Sequence, residues 1–314
     1  MITREDVLAA GERIRGHVRR TPLLHAAPDL WLKCEFLQHT GVFKARGAFN
    51  RMLAADERGE LDPAVGIVVA SGGNAGLANA YAAAALGVPA TVFVPETAPE
   101  VKVARLRAYG AAVRQVGSEY AVAYAAAVEH AQSHGALFSH AYDQPEIAAG
   151  AGTIAEEVLD DEPGIDTIVV AVGGGGLFAG IAASVAGRAR VVTVEPVGIP
   201  TLHAALQAGR PVDVTVSGIA ADSLGARRVG EIAFEVARRT PPTAVLVDDA
   251  DIVDARLALW DDYRIAAEYG AAAAYAALTA GAYRPEPGER VAVVVCGANT
   301  DPRSLAGLPP HPGA

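Results

Sequence analysis

From Gly66 to Gly297 the chain alternates short β-branched runs with Ala-rich stretches of helical length, and few folds accommodate that order. The apolar runs are GIVVAS, VPATVFVP, AAVRQVG and ALFSH, then TIVVAV, ARVVTVEP, TAVLV and RVAVVVCG. Such alternation predicts parallel strands joined by crossover helices. Runs this uniformly apolar are buried on both faces, as in a sheet covered by helices on each side. Helices are expected over 75–86, within PEVKVARLRAYG, over 119–133 and from Leu177 onward. The runs fall into two series, the second starting near Pro145, which predicts two α/β domains with a cleft between them. In open sheets of this kind ligands bind beyond the carboxyl ends of the strands.

Composition narrows the partners. The 314 residues are 51% hydrophobic and 20% charged, a compact globular profile, and the net charge of -10 repels phosphate backbones, so nucleic acid is not expected. Two cysteines, Cys34 and Cys296, make no disulfide framework and fit a reducing cytoplasm, with Cys34 read as core. The first twenty residues carry charges throughout, so no signal peptide is expected. The uncharged run 168–187 has the length of a membrane span, but four central glycines would unravel a lipid-exposed helix. It reads as strand, loop and helix, and no membrane partner is expected. His25, His130, His134, His140 and His203 show no paired ligand spacing, and the tail GLPPHPGA reads as frayed.

Three unusual turns follow strands and therefore share one edge: SGGNAG at 71–76, GGGG at 173–176, and CGANTD at 296–301. Gly173 to Gly176 lets backbone N–H groups and a helix start approach an anion closely, although a tight βα turn explains it equally well. It lacks the spacing of a Walker loop, and no acidic residue follows at the distance a ribose contact needs. SGGNAG exposes backbone N–H groups to a carboxylate, or is simply a Ser/Asn helix cap. Cys296 alone reads as a core cysteine. Lys44, in QHTGVFKARGAFN, is either a surface lysine near a helix start or an amine held in a pocket. A lysine, a phosphate cradle, a carboxylate loop and a weak polar group on one cleft together match pyridoxal phosphate chemistry.

With these motifs on the page, the chain resembles the fold-type II pyridoxal phosphate enzymes, and within them the serine/threonine dehydratases, from TPLL at Thr21 to Asp301. LKCEFLQHTGVFKARGA is similar to the family's lysine segment, GGGGL to its phosphate loop and SGGNAG to its substrate-carboxylate loop. The resemblance implies a tryptophan-synthase-β-like pair of open, twisted, mostly parallel α/β domains. Residues 43–140 would form the small one, and 1–42 with 141–314 the large one that binds the cofactor. It implies that Lys44 condenses with the cofactor aldehyde and later moves the Cα proton. Phe43 and Ser223 would flank the ring, Asn74 would meet its hydroxyl, Cys296 its nitrogen, and Glu268 would lie near its edge. Gly173, Gly174, Gly175, Gly176 and Leu177 would hold the phosphate, and Ser71, Gly72, Asn74 and Ala75 the substrate carboxylate. Glu195 with the carbonyls of Leu224 and Ala226 would bind a cation, potassium rather than magnesium because Thr201 replaces an acidic partner.

The departures are His39 and Val42 for the common Pro and Ser, and Ala75 where a His is frequent. The implied activity is elimination of the β-hydroxyl of L-threonine or L-serine to a 2-oxo acid and ammonia, by a homodimer without a regulatory domain. The same scaffold also supports racemisation, elimination from a bulkier β-hydroxy amino acid, or β-replacement. An NAD-dependent enzyme and a non-enzymatic anion-binding protein are the readings from other classes. GARRVG at 225–230 is expected on a helix surface or subunit contact.

Overall fold

The computed structural model describes residues 2–306, so the frayed tail expected at 307–314 lies outside the described residues. In chain order the elements are α1 (Arg4–Arg13), β1 (Leu23–Ala27), β2 (Leu30–Lys33), α2 (Ala45–Glu57), β3 (Ile67–Ala70), α3 (Asn74–Leu86), β4 (Ala90–Val94) and α4 (Glu100–Ala108). There follow β5 (Ala112–Gln115), α5 (Tyr120–His134), β6 (Leu137–Ser139), α6 (Pro145–Asp161), β7 (Thr167–Ala171), α7 (Gly176–Val185) and β8 (Arg190–Pro196). The last are α8 (Thr201–Ala208), α9 (Ala221–Leu224), α10 (Glu231–Arg239), β9 (Thr243–Val247), α11 (Asp249–Tyr263), α12 (Tyr269–Thr279) and β10 (Val291–Val294).

The strands form two sheets, one of order β5-β4-β3-β6 and one of order β1-β2-β10-β7-β8-β9. Every pairing is parallel except β1 with β2, so the two mostly parallel α/β units expected from the sequence are present. β3 and β7 are buried along their whole length, as their unbroken Val/Ile composition requires. The run 168–187 is β7, the glycine turn and α7, and no helix among the described residues is long and apolar enough to cross a membrane. Helix ends follow local chemistry: α3 and α5 stop at Gly87 and Gly135, both left-handed, and α4 begins directly after Pro99.

Small residues let three helices approach closely. A Cβ on Gly180 of α7 would lie 2.0 Å from the Ala148 carbonyl of α6. One on Gly150 of α6 would lie 2.6 Å from the Arg46 carbonyl of α2. Helix α2, which opens the first series, is thereby pressed onto the helix that opens the second.

At that contact Arg46 is fully buried. Its guanidinium donates to Glu35 (Nε to Oε2, 2.9 Å; Nη2 to Oε1, 2.7 Å) and to Glu157 on α6 (Nη1 to Oε1, 2.6 Å; Nη2 to Oε2, 2.8 Å). Nη1 also reaches Thr153 Oγ1 at 3.1 Å. Lys33 Nζ completes the cluster, donating to Glu157 Oε2 at 2.6 Å and to the Thr21 carbonyl at 2.7 Å. Two cations and two carboxylates are thus mutually neutralised and hydrogen-bonded, the condition under which buried charge is tolerated. Arg46→Ala leaves both carboxylates short of a partner; the expected loss is about 3–5 kcal/mol of unfolding free energy. Urea denaturation measures it, and a loss below about 1 kcal/mol, the level of a surface pair, contradicts the network's structural role.

Candidate active site

The strand ends of β3, β7 and β10 open onto one cavity of about 580 Å³, within the range of small-molecule sites. Lys44 reaches it from the cap of α2. Phe43 N donates to the Cys296 carbonyl at 3.0 Å, and Val42 bridges to Gly297, so the lysine's backbone is tied to the end of β10. Its Nζ donates to the Ala141 carbonyl at 3.1 Å and sits 5.2 Å from the Phe43 ring centroid. Burial lowers the ammonium pKa, and the nearby Cys296 and Glu268 oppose that shift without overcoming it. The deprotonated amine is therefore more accessible than on a surface lysine.

The glycine turn between β7 and α7 is shaped by what presses on it. A Cβ on Gly174 would stand 2.3 Å from the Tyr142 ring, and one on Gly176 would stand 2.6 Å from the Tyr142 carbonyl. Gly175 has φ +88°, and its Cβ would meet Ala233 at 2.4 Å. Side chains are excluded here, so bare N–H groups at the start of α7 face the cavity, as an anion cradle requires. Leu177 lines the same wall.

Ser71, Gly72 and Ala75 line the wall at the start of α3, where Ser71 Oγ accepts from Gly73 N at 3.3 Å. Asn74 is the first residue of α3, one earlier than the sequence reading placed it. Its Nδ2 donates to both Glu268 oxygens (2.9 and 3.1 Å), and its Oδ1 accepts from Asn299 Nδ2 at 2.7 Å. Burial raises the Glu268 pKa to about 7 against the hydrogen bond from Asn74. Burial also pushes the Cys296 thiol well above its usual value, which keeps it neutral. Ser223, in α9, accepts from Gly270 N at 3.0 Å beside the cavity.

Glu195 stands behind the glycine turn instead of on the cavity wall. Its Oε1 accepts from Leu202 N at 2.7 Å and Thr201 Oγ1 at 3.0 Å, and its Oε2 from His203 N at 2.8 Å. The Gly173 carbonyl lies 2.5 Å from Thr201 Oγ1 as the alternative acceptor for its single proton, and a Cβ on Gly173 would meet the Leu224 carbonyl at 2.8 Å. Ala226 N bonds that Leu224 carbonyl, and both residues line the cavity. Carboxylate, hydroxyl and carbonyl oxygens therefore cluster there. No group of three or more His, Cys, Asp or Glu suited to a metal occurs among the described residues.

One expectation needs correction. GARRVG is an irregular loop, and Arg227 and Arg228 line the cavity, because Gly225 and Gly230 leave no helical continuity between α9 and α10. His130 and His134, four apart on α5, have ring centroids 4.0 Å apart but belong to no metal-suited group among the described residues. The sequence reading also missed the connection from β6 to α6, where His140, Ala141 and Tyr142 form the wall facing Lys44. The buried partner set of Arg46 was missed as well.

The chain belongs to the family described as pyridoxal-phosphate dependent enzyme, whose model matches residues 14–297. It is 38% identical to an L-threonine ammonia-lyase of Geobacter sulfurreducens over 95% of this chain and 75% of that one. Among solved structures it resembles maize serine racemase (TM-score 0.89, 29% identity, 98% and 96% of the two chains). It also resembles threonine deaminase isoform 2 of Solanum lycopersicum (TM-score 0.86, 28% identity, 98% and 88%). The residues present fit the family's cofactor, since the glycine turn, where a Cβ would strike Tyr142, Leu224 or Ala233, stays free of side chains on the cavity wall, and a lysine whose charged form burial disfavours lines the same cavity.

Gly174→Ala drives a methyl into the Tyr142 ring, so cofactor retention should fall; the ratio of bound pyridoxal phosphate to protein after dialysis measures it, and full retention contradicts the cradle. The Glu268 pKa is higher in the folded state (about 7) than its ordinary 4.5, so folding takes up a proton. Stability of the cofactor-free protein should therefore fall as pH rises from about 4.5 through 7, and Glu268→Gln should flatten that decline. Denaturation midpoints at pH 5 and pH 8 report it.

Proposed function

We propose that the protein eliminates the β-hydroxyl of L-threonine and L-serine, giving a 2-oxo acid and ammonia. The carrying observation is Lys44, whose burial-depressed ammonium faces a side-chain-free anion cradle across one cavity. The names of the ammonia-lyase and deaminase relatives support this choice of reaction.

In this reading the glycine turn from Gly173 to Leu177 holds the cofactor phosphate, and Phe43 and Ser223 bracket the ring. When bound, pyridoxal phosphate supplies an electron sink for charge developing at the substrate Cα. Ser71, Gly72, Asn74 and Ala75 orient the substrate carboxylate on backbone N–H groups at the start of α3. The Lys44 amine, once free, takes the Cα proton. The neutral Cys296 thiol places no anion against the ring nitrogen, which favours loss of the β-substituent over prolonged carbanion storage. Asn74, whose Nδ2 donates to both Glu268 oxygens, would be the residue that meets the ring hydroxyl.

The oxygen cluster of Glu195, Thr201, Gly173 and Leu224, with Ala226, is read as a potassium site, since carbonyls and a single carboxylate suit a weakly charged hard cation. A cytoplasmic homodimer is part of the same reading. Val253, Leu257 and Trp260 support self-association, as exposed apolar side chains on one face of α11.

Incubation of the holoenzyme with L-serine or L-threonine should release 2-oxo acid, and borohydride reduction should fix a pyridoxyl group on the Lys44 peptide by mass spectrometry. Lys44→Ala should abolish the visible absorbance and reduce turnover by at least about 10²–10⁴ from the proton-transfer role alone. Unchanged turnover in that variant would falsify the assignment.

A further inference from the structure

We propose that His140 donates a hydrogen bond from Nε2 to the β-hydroxyl of the substrate, a specificity contact that deepens, and rests on, the elimination reading above. His140 precedes Ala141, whose carbonyl receives Lys44 Nζ, and its ring lines the cavity. Its Nδ1 accepts two backbone N–H groups, from Tyr142 at 3.2 Å and Asp143 at 2.9 Å. A nitrogen that accepts in this way carries no proton, so the proton of the neutral imidazole resides on Nε2.

Burial lowers the His140 pKa; Asp143 opposes this and the Lys44 charge adds to it, so the ring is neutral. Tyr124 and Tyr142 hold it edge-on at interplanar angles of 80° and 82°, with centroids 6.0 and 4.6 Å away. No hydrogen bond to Nε2 occurs among the described residues. With Nδ1 consumed by the loop, Nε2 is the unspent donor of a ring that lines the cavity.

The chemistry that uses such a donor is an oxygen gaining charge. As the Cβ–O bond breaks, its electron pair passes to the oxygen, a fixed neutral imidazole stabilises that charge while keeping its own proton, and the oxygen departs as water with the proton that Lys44 took from Cα. A site that donates to a substrate hydroxyl discriminates against analogues lacking one.

Two substitutions separate this role from loop support. His140→Asn keeps an acceptor near the Nδ1 position and loses the distal donor; His140→Gln places an amide donor near Nε2 and loses the proximal acceptor. For the holoenzyme, His140→Asn should lower kcat/KM on L-serine by about 10²-fold and affect β-chloroalanine, whose leaving chloride needs no such donor, by far less. His140→Gln should restore much of the serine activity, with bound-cofactor absorbance unchanged in both variants. Equal losses on serine and β-chloroalanine, or better activity in His140→Asn than in His140→Gln, would overturn the proposal and assign His140 to the loop. Unaltered serine kinetics in His140→Asn overturns it too. A wild-type enzyme inactive on both serine and threonine is a different result, in which the elimination reading itself fails.

Discussion

The Arg46 guanidinium, fully buried between Glu35 and Glu157, fixes the position on which the site depends. Arg46 lies two residues after Lys44, and its two partners come from the segment after β2 and from α6. On the other side of the lysine, Phe43 N is bonded to the Cys296 carbonyl. The stretch bearing the amine is thus clamped at both ends to the large sheet and its covering helix. An apolar residue would avoid the desolvation cost of a buried charge, so the network's value is positional: planar, bidentate bonds to two carboxylates define one orientation of the helix start. Lysine at the same place would supply the charge without that geometry.

Within this frame the electrostatics of the cavity follow from burial. Removing water disfavours every charge in the cavity, which lowers the Lys44 pKa and raises those of Glu268 and Cys296 together. Amine, carboxyl and thiol are therefore all shifted toward their neutral forms, and the cavity's positive potential comes from the N–H groups of two helix starts together with Arg227 and Arg228 on its wall. Those partial charges point where a phosphate and a carboxylate would sit. The start of α3 is held in turn through Asn74, since Asn299 bonds Asn74 at 2.7 Å and also receives Arg105 of α4 at 2.8 Å. Lys102, one turn earlier on α4, pairs with Asp222 of α9 across the cavity mouth. Helix α4 thereby couples the small sheet to the chemistry.

What the sequence made legible was whatever depends on local pattern. Val/Ile runs named the buried strands, the Pro and Gly bounding PEVKVARLRAYG the extent of α4, and the three polar turns after β3, β7 and β10 the cavity. β1 and β2 went unread because LLHAA and LWLK contain no β-branched residue, the signal by which most of the other strands were found. Arg46 resembled any helix arginine, since its partner Glu157 is 111 residues distant and only the fold brings them together. GARRVG looked like a helix surface because Ala and Arg favour helices, but the flanking glycines and the bond from Val214 N to the Arg227 carbonyl hold it as a loop. His140 carried no signal at all, because its meaning lies in which backbone N–H groups consume its Nδ1.

That last case shows how much one short connection controls. Between β6 and α6, Gln144 Oε1 accepts from His140 N at 2.8 Å, and Gln144 Nε2 donates to the Phe138 carbonyl at 3.2 Å, closing the turn on itself. Within that turn His140 presents its ring to the cavity, Ala141 receives the lysine, and Tyr142 packs against Gly174 and Gly176. Asp143 then caps α10, accepting from Glu231 N and Ile232 N at 3.1 Å each. Four consecutive residues thus position an imidazole, the amine, the glycine turn and a helix of the large sheet. Because the turn also leads out of the last strand of the small sheet, any movement of that sheet is transmitted to all four at once. The glycine turn needs four glycines because a Cβ at each would strike a packed neighbour: Tyr142 at Gly174 and Gly176, the Leu224 carbonyl at Gly173 and Ala233 at Gly175.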